Sequence, residues 1–234
     1  MSLDKPRRLD QLLASLGYGS RREVQGLIAY GRVTVGDEVV TKSDAKAQAA
    51  DVRIKGEPLE APQGLLAIFH KPLGYVCTRA DGEGSTIYEL LPPRWSLRNP
   101  AVTSVGRLDK ETSGLLLLTD RGDLVQRWTS PKSESEKVYE AEVDKPLDPA
   151  LIDVFASGTL MLRGETKPCL PAKLEIISEK RARLTITEGR YHQVRRMFAS
   201  QGFHVETLHR SRFGVYELGE LEVGAWTILD ATTV

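Results

Sequence analysis

Gly106-Arg107-Leu108-Asp109-Lys110-Glu111-Thr112-Ser113-Gly114-Leu115-Leu116-Leu117-Leu118-Thr119 runs from a charged corner through Thr-Ser-Gly into an unbroken apolar stretch. Four consecutive leucines are far too few to span a membrane and suit a strand buried in a sheet. Further strand-like runs lie at 65–69, 137–143, 182–187 and 205–210, with helical patterns between them. The clearest helix is 192–201, where Val194, Met197, Phe198 and Gln201 mark one face and Gly202 ends it. This mixture predicts an α+β domain over about 65–234 with a mainly antiparallel sheet and flanking helices.

Upstream, Leu9, Leu12, Leu13 and Leu16 fall on one face of a short helix stopped by Gly17. Ser20 followed by Glu23 is a capping-box pattern opening a second helix, with Val24, Leu27 and Ile28 inward and Gly31 after it. Then 33–35 and 38–40 flank Gly36-Asp37 as a hairpin, and 52–54 adds a strand. The Pro- and Gly-bearing stretch 56–64 reads as a linker, giving two domains, 1–60 and 61–234.

Composition narrows the class. The chain has 234 residues and is 41% hydrophobic, enough for a packed core and too much for a disordered chain. Cys77 and Cys169 are too few for a disulfide framework and lack zinc-site spacing. No apolar signal segment follows the charged start, so a cytoplasmic protein without membrane attachment is expected. Thirty-two basic residues balance thirty-two acidic ones, but unevenly. Residues 1–32 carry six basic residues against three acidic, and 181–212 carry seven arginines against two glutamates. Such local patches suit a phosphate backbone, and equally a solvated charged surface.

Three stretches carry candidate chemistry. Asp109, at the edge of a buried strand, must be paired or solvated, and either a turn cap or a salt bridge would satisfy it. Glu188-Gly189-Arg190-Tyr191-His192-Gln193-Val194-Arg195-Arg196-Met197-Phe198 opens a helix dense in arginine. It reads as a phosphate-contact helix or as a plain polar face. In Lys137-Val138-Tyr139-Glu140-Ala141-Glu142-Val143, alternation places Tyr139 with Ala141 and Val143. Arg21 and Arg22 fall in the first turn of the second predicted helix and Arg32 just past its end, where anions are attracted.

Taken together, the order and wording of these stretches resemble the pseudouridine synthases, in particular the RsuA-type branch that modifies small-subunit ribosomal RNA. The two-helix unit over about 7–55 resembles the RNA-binding module first known from the fourth protein of the small ribosomal subunit. The resemblance implies that Asp109 is the essential aspartate, Tyr139 the active-site tyrosine and Arg195 the arginine paired with Asp109. It implies that Arg107 enters the RNA stack where the uridine flips out, and that Lys71-Pro72-Leu73-Gly74-Tyr75 supports the floor of the site. Lys71, Arg190 and His192 join Arg21, Arg22, Arg32 and Arg107 as expected RNA-facing residues. The chain departs from the family at His70, where Asn is usual, and at Asp120-Arg121-Gly122, where Asp-Asp-Gly is commoner.

The implied reaction isomerises a uridine of 16S ribosomal RNA, uridine 516 in this branch, on free RNA or on an assembling small-subunit particle. It needs no cofactor, and the four histidines show no metal pattern. A monomer is expected. The competing readings are a non-catalytic RNA-binding assembly factor and a synthase acting on a large-subunit uridine. A metal-dependent nuclease is poorly served by the spacing of Asp109, Asp120 and Asp123.

Overall fold

The computed structural model describes residues 5–80, 82–130 and 133–230; residues 1–4 of the charged start lie outside it. The N-terminal part is built from β1 (Arg7–Arg8), α1 (Leu9–Ser15), α2 (Arg21–Ala29), β2 (Val33–Val35), β3 (Glu38–Val39), β4 (Lys46–Ala47), β5 (Val52–Ile54) and β6 (Glu57–Pro58). Leu9, Leu12, Leu13, Val24, Ile28, Val33 and Val52 form its core. The capping box closes as its sequence predicts: Ser20 N–H donates to Glu23 Oε2 at 2.7 Å, and Glu23 N–H donates to Ser20 Oγ at 3.4 Å. Gly36 takes a positive φ of 58° in the β2–β3 turn, the conformation a glycine-first loop requires.

The stretch 56–64 is not a free linker. β6 pairs with β5, and Leu59 belongs to the N-terminal core. Pro58 breaks the hydrophobic pattern yet fits this last strand of the sheet, where its missing N–H costs nothing. Beyond it, the buried Arg98 donates to the Glu60 and Ala61 carbonyls and to Asp120 Oδ2 at 2.6 Å. Asp120 Oδ1 in turn accepts from Leu65 N–H. The first residue of the unusual Asp-Arg-Gly stretch therefore fastens the segment that joins the two halves.

The second part follows with β7 (Leu66–Lys71), α3 (Pro93–Leu97), β8 (Thr103–Ser104), β9 (Ser113–Thr119), α4 (Gly122–Thr129) and β10 (Lys137–Val143). It continues with α5 (Ala150–Ala156), β11 (Lys173–Ser178), β12 (Arg181–Ile186), α6 (Gln193–Ser200), β13 (Val205–Phe213), β14 (Tyr216–Glu217) and β15 (Trp226–Ile228). These strands make a mixed sheet in the order β11-β12-β10-β13-β9-β7-β15, with β14 on β13 and β8 on β9. Among the described residues, β13–β9 is the only parallel pair of strands in this sheet.

β9 is apolar throughout because it is buried on both faces. Leu116 and Leu118 join the main core with Tyr139, Ala141, Phe155, Met197 and Phe198. Leu115 and Leu117 join a second cluster with Ile68, Val105 and Phe213, against which Val125 and Trp128 of α4 pack. The helical patterns between the strand-like runs come out as α3, α4 and α5, five to eight residues long.

Candidate active site

The loop between β8 and β9 carries Asp109, and three of its carbonyls are held by cations from elsewhere. Lys71 ends β7 with no solvent exposure. Its Nζ donates to Asp109 O at 3.0 Å, Thr112 O at 2.8 Å and Pro72 O at 3.0 Å. Arg195 of α6 donates through Nη2 to Glu111 O at 2.8 Å and through Nη1 to Val205 O at 2.6 Å. Burial pushes the Lys71 ammonium below its usual value, opposed by Cys77, Asp109 and Glu111. Thr112 N–H closes a turn onto Asp109 O, and Leu108 is held from behind by Cys77 Sγ, which donates to its carbonyl and accepts from its N–H.

This loop forms one wall of a cleft of ≈ 640 Å³, whose lining includes Arg107, Asp109, Lys137, Tyr139, His192 and Arg210. The Asp109 carboxylate is about one-third exposed, and its Oδ1 lies 3.4 Å from His192 Nε2. His192 holds φ 47°, ψ 35° just before α6, a left-handed turn that swings its ring toward Asp109 and stacks it on Tyr191. Tyr139 is 8% exposed and sits opposite Arg210 across the β10–β13 pair. Arg210 Nη1 donates to Tyr139 Oη at 3.4 Å, and its Nε donates to Leu115 O at 2.8 Å.

β9 and β13 meet where Gly114 registers with Arg210. Gly114 has φ 111°, and a Cβ there would stand 2.2 Å from Arg210 O and 2.6 Å from Arg210 N. Glycine is thus required twice over, by conformation and by the closeness of the two backbones.

Comparison with known proteins identifies the family. A family model described as RNA pseudouridylate synthase matches residues 66–200, and an S4-domain model matches residues 7–52. The chain belongs to the RNA pseudouridylate synthase family. It is 40% identical over 225 residues to the ribosomal small subunit pseudouridine synthase A of Vibrio cholerae, covering 95% of each chain. It is also 40% identical to the protein of that name from Escherichia coli K12, covering 88% of this chain and 89% of that one. A crystal structure of a pseudouridylate synthase superposes with a TM-score of 0.67 at 35% identity, covering 97% of both chains.

Within the synthase, the residues expected to face RNA divide. Arg107 is exposed at the cleft, and Arg21, Arg22 and Arg32 are exposed on the N-terminal domain. His192 reaches the cleft but addresses Asp109. Lys71 is not an RNA contact: its ammonium is buried and spent on three carbonyls. Arg190 is likewise committed, donating to Glu188 Oε2 and to the carbonyls of Lys167 and Pro168. Freeing it for phosphate would leave those acceptors bare. The expected Arg195–Asp109 ion pair is also not formed among the described residues, because the left-handed turn at His192 brings that ring to the carboxylate and leaves Arg195 over Glu111.

Sequence reasoning misses Arg210, although a signal exists. Alternation from Leu208 along β13 puts position 210 on the same inward face, where an arginine is unusual.

Lys71→Met keeps most of the side-chain stem but strips the donor from three carbonyls. Such a loss is expected to cost about 3 kcal/mol or more in urea unfolding. Single-turnover modification should also slow about 100-fold, because the carboxylate loses its fixed position. Unfolding and activity both at wild-type levels would show that the loop does not depend on Lys71.

Proposed function

We propose that this enzyme converts one uridine of 16S ribosomal RNA, uridine 516, to pseudouridine, with Asp109 as the essential carboxylate. The relatives' names support the ribosomal target, and the observation that carries the chemistry is Asp109 itself. Its carboxylate faces a cleft from a loop whose backbone is tied at three carbonyls.

The reaction breaks the bond from ribose C1′ to N1 and makes one to C5; C5 then gives up its proton and N1 gains one. Asp109 either acts as a nucleophile, on the sugar or on the base, or balances the positive charge that develops at the sugar. In both cases a carboxylate presented by a rigid loop needs little reorganisation. Tyr139 packs against the base and assists removal of the C5 proton, directly or through water. A uridine in folded RNA must leave its stack, and the exposed Arg107 stands at the cleft to prop the gap. No electrons are exchanged and no group is consumed, so the chemistry calls for no cofactor.

Residues 1–60 serve as the RNA anchor and 61–234 as the catalytic domain, working in the cytoplasm as a monomer on free RNA or an assembling small subunit. Tritium at C5 of uridine gives a direct test. A 16S transcript so labelled should release one site's worth of tritium to water with this protein; no release, on the free transcript or on an assembly intermediate, would overturn the proposal.

The anchor makes its own prediction. Replacing Arg21, Arg22 and Arg32 together with alanine leaves the N-terminal core untouched, since all three are exposed. The log–log salt slope of RNA binding should flatten by about 2, the scale of three lost phosphate contacts. An unchanged slope would place the anchor elsewhere.

A further inference from the structure

The floor of the cleft holds a buried cation that the reaction as written does not use. Arg210 is 2% exposed and lines the cleft. Its Nε is satisfied by Leu115 O and its Nη1 by Tyr139 Oη, but Nη2 is buried with no hydrogen-bond partner among the described residues. No carboxylate pairs with its guanidinium among those residues; its near neighbours are the rings of Tyr139 and Phe213, at 5.9 and 5.3 Å. Burying a guanidinium without a counter-charge and with an unmet donor is costly. A fold that keeps such a group over a cleft holds a donor in reserve for a ligand acceptor.

The acceptor follows from depth and charge. Phosphates of the RNA backbone stay at the mouth, where Arg107 is exposed, whereas a flipped base enters furthest. When the bond from C1′ to N1 breaks, its electron pair leaves with the base, and the negative charge spreads over N1 and the two ring carbonyl oxygens. If Asp109 instead adds to the ring, the charge again collects on a carbonyl oxygen. Both routes place growing negative charge on ring oxygens that a buried, unpartnered N–H at the cleft would stabilise.

We infer that Arg210 is a further catalytic residue, whose free Nη2–H donates to a carbonyl oxygen of the flipped uracil ring and stabilises the charge the base acquires. This rests on the pseudouridine-forming reading of the site. The same guanidinium holds the Tyr139 hydroxyl, so the base donor and the tyrosine are fixed by one group. A ring carbonyl bound in this way also favours uracil over a base that presents an amino group at the same position.

The test couples the protein group to the ligand atom. Arg210→Gln is compared with wild type on the small-subunit RNA fragment that the wild type modifies, carrying uridine, 2-thiouridine or 4-thiouridine at the target. Sulfur accepts hydrogen bonds weakly. Arg210→Gln should slow single-turnover modification about 100-fold or more, the scale for a lost oxyanion donor, with RNA affinity within about twofold. Sulfur at the contacted carbonyl should slow the wild type about tenfold and the variant scarcely at all. Sulfur effects at both positions that are equal in the two proteins would overturn the inference, even if the variant is slow. If Arg210→Gln does not fold, Arg210→Lys, which keeps the charge, enters the same comparison and must show the same loss of sensitivity. A wild type that modifies none of these RNAs would overturn the functional reading itself, which is a separate failure.

Discussion

Asp109→Asn is expected to reduce modification by on the order of four powers of ten while leaving RNA affinity unchanged or slightly tighter. The amide has the carboxylate's shape and retains an oxygen toward His192 Nε2, now 3.4 Å from Asp109 Oδ1. The backbone ties from Lys71 and Arg195 do not involve the side chain, so the loop should hold its place. Only the negative charge and its nucleophilicity are lost. Removing a negative charge from a surface that meets phosphates cannot weaken binding through electrostatics. Quench-flow modification and filter binding on the same RNA measure both quantities. A variant within tenfold of wild-type turnover would contradict the role given to Asp109.

Gly114→Ala is expected to have the largest effect on stability. The added Cβ would meet backbone atoms of Arg210 at 2.2 and 2.6 Å, and φ 111° strains any residue other than glycine. No flexible side chain can yield, so β9 and β13 must separate where they run parallel. Strain and overpacking together should cost at least about 3 kcal/mol in urea unfolding. The separation also pulls Arg210 from Tyr139 and shifts the loop that ends at Ser113, so activity should fall even where the protein remains folded. Gly122→Ala is the control. Gly122 begins α4 without a positive φ, and a Cβ added there would meet nothing within 4 Å. That change should be neutral or stabilising by a few tenths of a kcal/mol. Equal stability of the two variants would contradict the close approach.

Much of this architecture is legible in the sequence because burial writes itself into composition. The four leucines of β9 announce a strand covered on both faces, and the alternation in β10 places Tyr139 with Ala141 and Val143, where the structure has it. The two N-terminal helices carry both their apolar faces and their stop signals. The edge elements are less legible. β11 and β15 are partly exposed, so burial leaves a weaker mark on their sequences.

At the site, residue types could be read but not their partners. Lys71 and Arg190 look like phosphate ligands in a sequence, since nothing local says that β7 ends in the core or that the Lys167 and Pro168 carbonyls approach. The Asp109–His192 contact depends on one left-handed residue before α6, a conformation that histidine adopts more readily than most residues but that its identity alone does not dictate. Arg210 and Gly114 take their meaning from a single strand crossing between segments distant in the chain. The alternation along β13 marks position 210 as inward, but no local period names the strand that it meets.

Whether this cleft makes pseudouridine at one place in small-subunit RNA, and does so through Asp109, is decided by mapping the product. Unmodified 16S RNA, free and as an assembly intermediate, is incubated with wild type or Asp109→Asn, and its pseudouridines are then mapped. A single new pseudouridine, at uridine 516, is expected with the wild type alone. No new site on either substrate despite firm RNA binding, or the same site with Asp109→Asn, would contradict it.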